Sequence, residues 1–110
     1  MIDFEVIDEP AFRSVVAEAV EVSRGEAGTL LYDWYIDDDG GRARLYEAYA
    51  SAEAITEHAE GRVFTDLASR LFSSGRVTHI DAYGDPEILK VAELLGPVTL
   101  WGEPFEALDS

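Results

Sequence analysis

The chain contains no cysteine, no asparagine and no glutamine. The lack of cysteine excludes disulfide bonds, a thiol nucleophile and thiolate metal ligands. Basic residues are also few, because eight lysine and arginine residues stand against 23 acidic ones, giving a net charge of −15. A surface this acidic repels phosphate backbones and anionic lipids. The composition therefore predicts no nucleic-acid partner and no membrane partner.

Long apolar runs are missing as well. No stretch approaches the roughly 18 consecutive apolar residues that predict a membrane-spanning helix, and no signal-peptide pattern follows Met1. We therefore expect a cytoplasmic protein. A length of 110 residues with 47% hydrophobic residues suits one folded domain. We expect this domain to span residues 1–110, with residues 85–110 as a C-terminal extension.

Hydrophobic periodicity, caps and turn residues divide the chain into alternating strands and helices. Gly61 is expected to break or kink the second helix, and the sequence DDGG is a strong hairpin signal. The predicted elements are a strand Ile2–Val6, a helix from Asp8 to Gly25, strands Thr29–Asp37 and Arg42–Ala50, a helix from Ser51 to Gly75, a strand Arg76–Tyr83, a helix from Asp85 to Leu95 and a strand Val98–Trp101.

The order β-α-β-β-α-β is that of a ferredoxin-like α+β fold, followed here by an α-β extension. Helices would cover one face of a four-stranded antiparallel sheet and leave the other face open. Either register of the hairpin places large apolar side chains on the open face, either Leu30, Tyr32, Trp34 and Ile36 or Leu31 and Tyr35. An exposed face of this kind predicts a homodimer formed by packing the two open sheet faces together.

One histidine, one carboxylate and several aromatic residues form a candidate site. His58, on the apolar side of the second helix, is either a general base or a half-buried histidine satisfied by a backbone carbonyl or by Glu47. Glu47 interrupts an apolar strand and either forms a structural pair or faces a pocket. Tyr32, Trp34 and Tyr49 are either core residues or walls that bind a flat aromatic ligand.

Other polar groups indicate no further chemistry. His79 and Asp81 share a strand face, but two ligands do not make a metal site. Asp37, Asp38 and Asp39 lack the spacing of a calcium loop. No serine stands in a G-x-S-x-G pattern. The sequence therefore predicts no metal site and no serine nucleophile.

The segments Gly28-x-x-x-Tyr32 and Glu47-x-Tyr49-x-x-x-Glu53-Ala54-x-x-x-His58 resemble the antibiotic biosynthesis monooxygenase family. The resemblance covers roughly residues 1–84 and implies a dimeric α+β barrel of ferredoxin-like subunits. It also implies a site residue at Tyr49, where the family usually has an aromatic. The asparagine that many family enzymes take from the first strand is absent. Ala68 stands where the haem-degrading members have their axial histidine, so no haem and no other cofactor is expected.

The resemblance implies a cofactor-independent monooxygenase of a small aromatic or quinol-like substrate, with His58 and Glu47 as the candidate catalytic residues. Tyr32, Trp34 and Tyr49 would bind the substrate. Two alternatives stay open. One is a non-oxidative isomerase or lyase that uses the same base, and the other is a ligand-binding or structural dimer without turnover. A pocket with no volume for a ligand would favour the last of these.

Overall fold

The structure, a computed structural model, describes residues 1–108 and contains one sheet with helices packed on one face. The sheet order is β2-β3-β1-β4-β5, in which the first four strands are antiparallel and β5 runs parallel to β4. The elements are β1 (Ile2–Val6), α1 (Glu9–Arg24), β2 (Thr29–Ile36), β3 (Arg42–Tyr49), α2 (Ala52–Glu60), a π-helical segment (Val63–Leu67), α3 (Ala68–Ser74), β4 (Gly75–Ala82), α4 (Ile88–Ala92) and β5 (Thr99–Leu100).

The predicted ferredoxin-like α+β fold is confirmed, with one more strand in the sheet than the four of the ferredoxin-like core. The fifth strand is the predicted C-terminal strand, shortened to two residues, and it joins the sheet beside β4. None of the helices within residues 1–108 is long and apolar enough to cross a membrane.

Local signals set the ends of the first two helices. Asp8 caps α1 by accepting a hydrogen bond from the backbone nitrogen of Ala11, and Ser51 caps α2 in the same way through the nitrogen of Ala54. The predicted interruption at Gly61 is confirmed, because α2 ends there and the π-helical segment and α3 continue the chain. This interruption leaves α2 as a separate short helix that carries His58.

A close backbone contact holds α2 on the sheet. Gly28 lies at the start of β2, and a Cβ atom there would be 2.5 Å from the Cβ of Ala54 on α2. Only a residue without a side chain permits this approach. Because Ala54 and His58 are one helical turn apart, both are buried on the same side of α2.

The two faces of the sheet have different chemistry. Phe4, Leu45, Trp34 and their neighbours face the helices and form the core with Phe12 and Val15 of α1. The exposed large residues of β2 and β3 are Leu30, Leu31, Tyr35 and Tyr46.

The alternating residues of β2 that the sequence analysis grouped together do not all face the core. Tyr32, Trp34 and Ile36 pack against the core, whereas Leu30 is exposed. An irregularity in the β2–β3 pairing between Thr29 and Leu31 takes Leu30 out of the alternation. Of the two predicted sets, the one on the open face is therefore Leu31 and Tyr35. The ion pairs Arg44–Asp3 and Arg76–Glu5 lie on the same face.

The C-terminal extension folds back over the domain. The side chain of Asp85 accepts a hydrogen bond from the backbone nitrogen of Glu87 and so forms a local turn. Because of this turn, α4 begins only at Ile88 and is shorter than the predicted helix Asp85–Leu95. Beyond α4, the chain returns to β4, where Trp101 donates its backbone N–H to Ala82 and stacks on Tyr83. The extension is therefore fixed to the sheet on both sides of α4.

Candidate active site

His58 is held by a carboxylate that the sequence analysis did not single out. Its imidazole is only 4% exposed, and Nδ1 lies 2.6 Å from Oε1 of Glu26 in the turn between α1 and β2. The same oxygen accepts a hydrogen bond from the hydroxyl of Thr29 at 2.9 Å. Because a carboxylate only accepts, this contact places the proton of a neutral imidazole on Nδ1. Nε2, which has no hydrogen bond to any residue of 1–108, is then the basic nitrogen.

The partner of His58 is thus Glu26 and not Glu47 or a backbone carbonyl. Glu26 is 32 positions from His58 in the chain and belongs to a different element. The only sequence signal was an acid between Gly25 and Gly28, two positions after Arg24. Nothing in that turn indicates which side chain the carboxylate contacts.

Glu47 faces the same interior region from β3. It accepts a hydrogen bond from the hydroxyl of Tyr49 at 2.8 Å, and it forms none of the ion pairs found within residues 1–108. As predicted, Arg42 and Arg44 lie on the other side of the strand. Burial raises the pKa of the Glu47 carboxyl, while the Tyr49 hydrogen bond, a proton on His58 when it is present and the N-terminal ammonium of Met1 act in the opposite direction.

Aromatic rings surround the imidazole. The ring centroids of Tyr32, Tyr49 and Phe64 lie 5.3, 5.4 and 5.9 Å from that of His58. Burial is the main cause that raises the pKa of both tyrosine hydroxyls above their ordinary value. Both phenols therefore remain protonated near neutral pH and can donate hydrogen bonds.

Trp34 has a structural role as well as a place at the site. Its ring packs against Phe4 and Phe12 at centroid distances of 5.2 and 5.7 Å, and against Tyr32 at 6.0 Å. Its Nε1, like the hydroxyl of Ser23, is buried without a hydrogen-bond partner within the described chain. Trp34 thus joins the hydrophobic core to the site.

All five predicted site residues line one cavity between the sheet and the helices. They are His58, Glu47, Tyr32, Trp34 and Tyr49. The rest of the lining is mainly apolar, and α4 contributes Ile88, Val91 and Ala92. The cavity volume is about 70 Å³. Typical ligand sites occupy about 300–1,000 Å³, so a larger ligand requires α4 or the lining side chains to move.

The other predicted polar groups lie at the surface except Asp81, whose side chain is 14% exposed and lies at the border of the cavity. Nε2 of His79 lies 2.9 Å from Oδ2 of Asp81, whose other oxygen accepts from the indole of Trp101. Asp37 closes the hairpin by accepting hydrogen bonds from the backbone nitrogens of Gly41 and Arg42. Across residues 1–108, no three histidine, aspartate or glutamate side chains converge as metal ligands.

Solved structures with this fold include MupZ from Pseudomonas fluorescens, which is 21% identical, with a TM-score of 0.73 over 99% of this chain and 93% of that one. Rv0793 from Mycobacterium tuberculosis is 25% identical, with a TM-score of 0.59 over 70% of this chain and 86% of that one. An antibiotic biosynthesis monooxygenase is 26% identical, with a TM-score of 0.57 over 68% of this chain and 83% of that one.

No curated protein of known function matches the chain. The family model for antibiotic biosynthesis monooxygenases matches residues 8–70, which include Glu26, Glu47 and His58. This match covers more than half of the sequence, and it begins just before α1 and ends within α3. The chain belongs to the antibiotic biosynthesis monooxygenase family.

Proposed function

We propose that the protein is a cofactor-independent monooxygenase that acts on a small aromatic or quinol-like substrate. The observation that carries this proposal is the pair formed by Glu26 and His58 at a cavity lined by aromatic rings. The pair orients the imidazole and leaves Nε2 available to take a proton from a bound ligand. Family membership supports the reaction type.

The proposed reaction begins with proton transfer to His58 from a phenol O–H or from an activated CH₂ group, which is what the reacting ring carbon of a phenol becomes in its keto tautomer. The resulting carbanion, stabilised as an enolate or phenolate, reduces dioxygen and forms a carbon–oxygen bond. Protonation gives a hydroperoxide, which loses the remaining hydrogen of that carbon as a proton while the O–O bond breaks. The products are a carbonyl group and water, so one O₂ converts one CH₂ to one C=O. The protein contributes a base, positioning and exclusion of water.

The aromatic side chains would bind the substrate. Tyr32, Tyr49 and Trp34 present ring faces and edges to the cavity, and stacked or edge-to-face contacts suit a flat aromatic ligand. The same rings exclude water from the region of His58. An electron-rich anion in such a site reacts with a small apolar oxidant without competing protonation by solvent.

A second candidate is a non-oxidative isomerase or lyase. The observation in its favour is the buried Glu47 carboxyl, which shares the cavity with the basic nitrogen of His58. A proton donor and a proton acceptor in one site are what proton relocation requires. A third candidate, a dimer without turnover, draws support from the cavity volume of about 70 Å³.

Oxygen uptake by the purified protein separates these functions. We expect uptake above the autoxidation blank with at least one member of a panel of quinols, naphthols and anthrones, with one O₂ consumed per carbonyl formed. Product formed equally well without oxygen would contradict the monooxygenase and favour the isomerase or lyase. Neither uptake nor product across the panel would favour the dimer without turnover.

The proposal includes a homodimer formed through the open sheet face. Tyr35 and Tyr46 are 56% and 43% exposed on that face and contact each other edge to face at 6.0 Å. Exposed aromatic residues on the open face of two neighbouring strands favour burial against a second copy. A cytoplasmic location stays a prediction from the sequence.

The dimer has its own test. In sedimentation equilibrium we expect the mass of two chains, and we expect the double variant Tyr35→Asp, Tyr46→Asp to give the mass of one. The variant Asp33→Ala, next to Tyr35 on β2, is the control and should stay dimeric. A monomeric wild-type protein at the concentration of the assay would contradict the proposed interface.

A further inference from the structure

We infer that Glu47 acts as a neutral carboxylic acid that, supported by Tyr49, donates a hydrogen bond to a substrate oxygen that becomes negatively charged. This inference rests on the proposed function, since it assigns an acidic partner to the base His58. It also defines the substrate class. The substrate is a phenol or carbonyl compound in which loss of a proton places negative charge on oxygen.

The geometry of the pair leaves one carboxyl oxygen for a ligand. Tyr49 and Glu47 are two residues apart on β3, so both side chains lie on the helix-covered face. The Tyr49 hydroxyl donates to Oε1 of Glu47, and no residue among 1–108 forms a hydrogen bond with Oε2. A proton on Oε2 would therefore be available to a ligand in the cavity. Tyr32, opposite Glu47 in the β2–β3 pairing, places a second phenol beside the pair.

The electrostatic surroundings favour the neutral acid. Glu47 is buried, and no arginine or lysine side chain of the described chain pairs with it. Burial is the largest effect and raises its pKa, against the Tyr49 hydrogen bond, a protonated His58 and the N-terminal ammonium of Met1. Glu26, the partner of His58, adds a second acidic group nearby. Two carboxylates in one apolar region disfavour the ionised state of the less solvated group. Since Glu26 faces the imidazole, Glu47 is the group that stays protonated.

The composition limits the other possible donors. An anionic oxygen in a cavity without water needs hydrogen-bond donors. The chain has no asparagine or glutamine, so no side-chain amide can serve. The arginines of β3 lie on the other face of the sheet. A carboxylic acid held neutral by an apolar site can donate to an oxyanion, and Glu47 with Tyr49 offers this chemistry next to His58.

The test measures ionisation of a bound probe, independently of turnover. The probe is 4-nitrophenol, whose absorbance reports its protonation, and 4-nitroanisole, which cannot ionise, is the matched ligand control. We expect the wild-type protein to bind the phenolate form in preference, so that bound 4-nitrophenol ionises at lower pH than free 4-nitrophenol. Glu47→Ala should weaken phenolate binding by about tenfold or more, as expected for loss of a hydrogen bond to a charged group.

Three variants distinguish the neutral acid from a carboxylate. Glu47→Gln keeps a neutral donor, and we expect it to bind the phenolate within a few fold of wild type. Tyr49→Phe should fall between wild type and Glu47→Ala. Binding of 4-nitroanisole should change little in all three, and urea unfolding checks that each variant is folded.

Several outcomes would overturn the inference. Equal phenolate binding by Glu47→Ala and wild type would remove the donor role. A Glu47→Gln variant as weak as Glu47→Ala would show that a carboxylate is needed. Absence of any 4-nitrophenol binding by wild type would contradict the assigned substrate class. By contrast, preferential phenolate binding without oxygen uptake would refute only the monooxygenase.

Discussion

Replacing His58 with alanine should lower turnover of the proposed substrate by about 10²–10⁴-fold, the usual contribution of a positioned general base. The imidazole is buried beside Glu26 and lines the cavity, whereas the other amine there, the N-terminus of Met1, donates a hydrogen bond to the backbone oxygen of Asp81. His79→Ala is the matched control, because the other histidine of the chain is half-exposed and pairs with Asp81. The measurement is the initial rate of oxygen uptake at saturating substrate.

Glu26→Ala extends this prediction to the partner of the base. Glu26 acts through His58, so we expect a smaller loss than in His58→Ala, seen in kcat with little change in KM. Combining the two replacements should cost no more than His58→Ala alone, because residues that act as one unit are not additive. A double variant whose fold-loss in kcat is the product of the two single losses would contradict a shared role of Glu26 and His58. An unchanged rate in His58→Ala would remove His58 from the mechanism.

Replacing Phe12 with alanine should lower the free energy of unfolding by about 3–5 kcal/mol, the usual cost of removing a buried phenylalanine. Phe12 is 2% exposed and contacts the rings of Phe4 and Trp34 at 5.7 Å each. Its loss leaves a void where α1 meets the sheet. A domain of this size has about 5–15 kcal/mol of stability in total, so the variant approaches global unfolding.

Phe105→Ala is the control for this prediction, because Phe105 is 100% exposed in the C-terminal segment. Its unfolding midpoint in urea should match that of the wild-type protein. A loss of less than about 1 kcal/mol in Phe12→Ala would mean that the neighbouring rings collapse into the space that Phe12 leaves. The void would then not be the cause of the expected instability.

The fold could be predicted where the signals are local. Alternation in Ile2–Val6, the DDGG hairpin and the Ser51 cap each depend on neighbouring residues, and all three gave elements near their observed positions. The start of α4 was wrong because the side chain of Asp85 forms a turn with Glu87. The exposure of Leu30 depends on an irregular β2–β3 pairing that the alternation does not reveal.

The site could be predicted only in part, for a related reason. The five candidate residues on β2, β3 and α2 could be assigned to one side of the sheet from the sequence. Each follows the spacing of the other apolar residues in its own strand or helix. The contact between Glu26 and His58 joins two elements 32 residues apart, and it depends on how the turn after α1 folds against α2. The covering of the cavity by α4 likewise depends on long-range packing against α2 and β4.

The position of α4 over the cavity has a consequence for affinity. Gly84 and Gly96 flank α4 with φ values of +99° and +148°, which only glycine adopts readily, so these two positions set the path of the chain into and out of α4. A ligand that needs more than the observed cavity volume of about 70 Å³ binds only to molecules whose cavity has widened. The apparent dissociation constant is then the intrinsic one divided by the fraction of open molecules. An open population of about 1% would weaken apparent binding about 100-fold, and a substitution on the outer side of the extension could strengthen binding without touching the ligand.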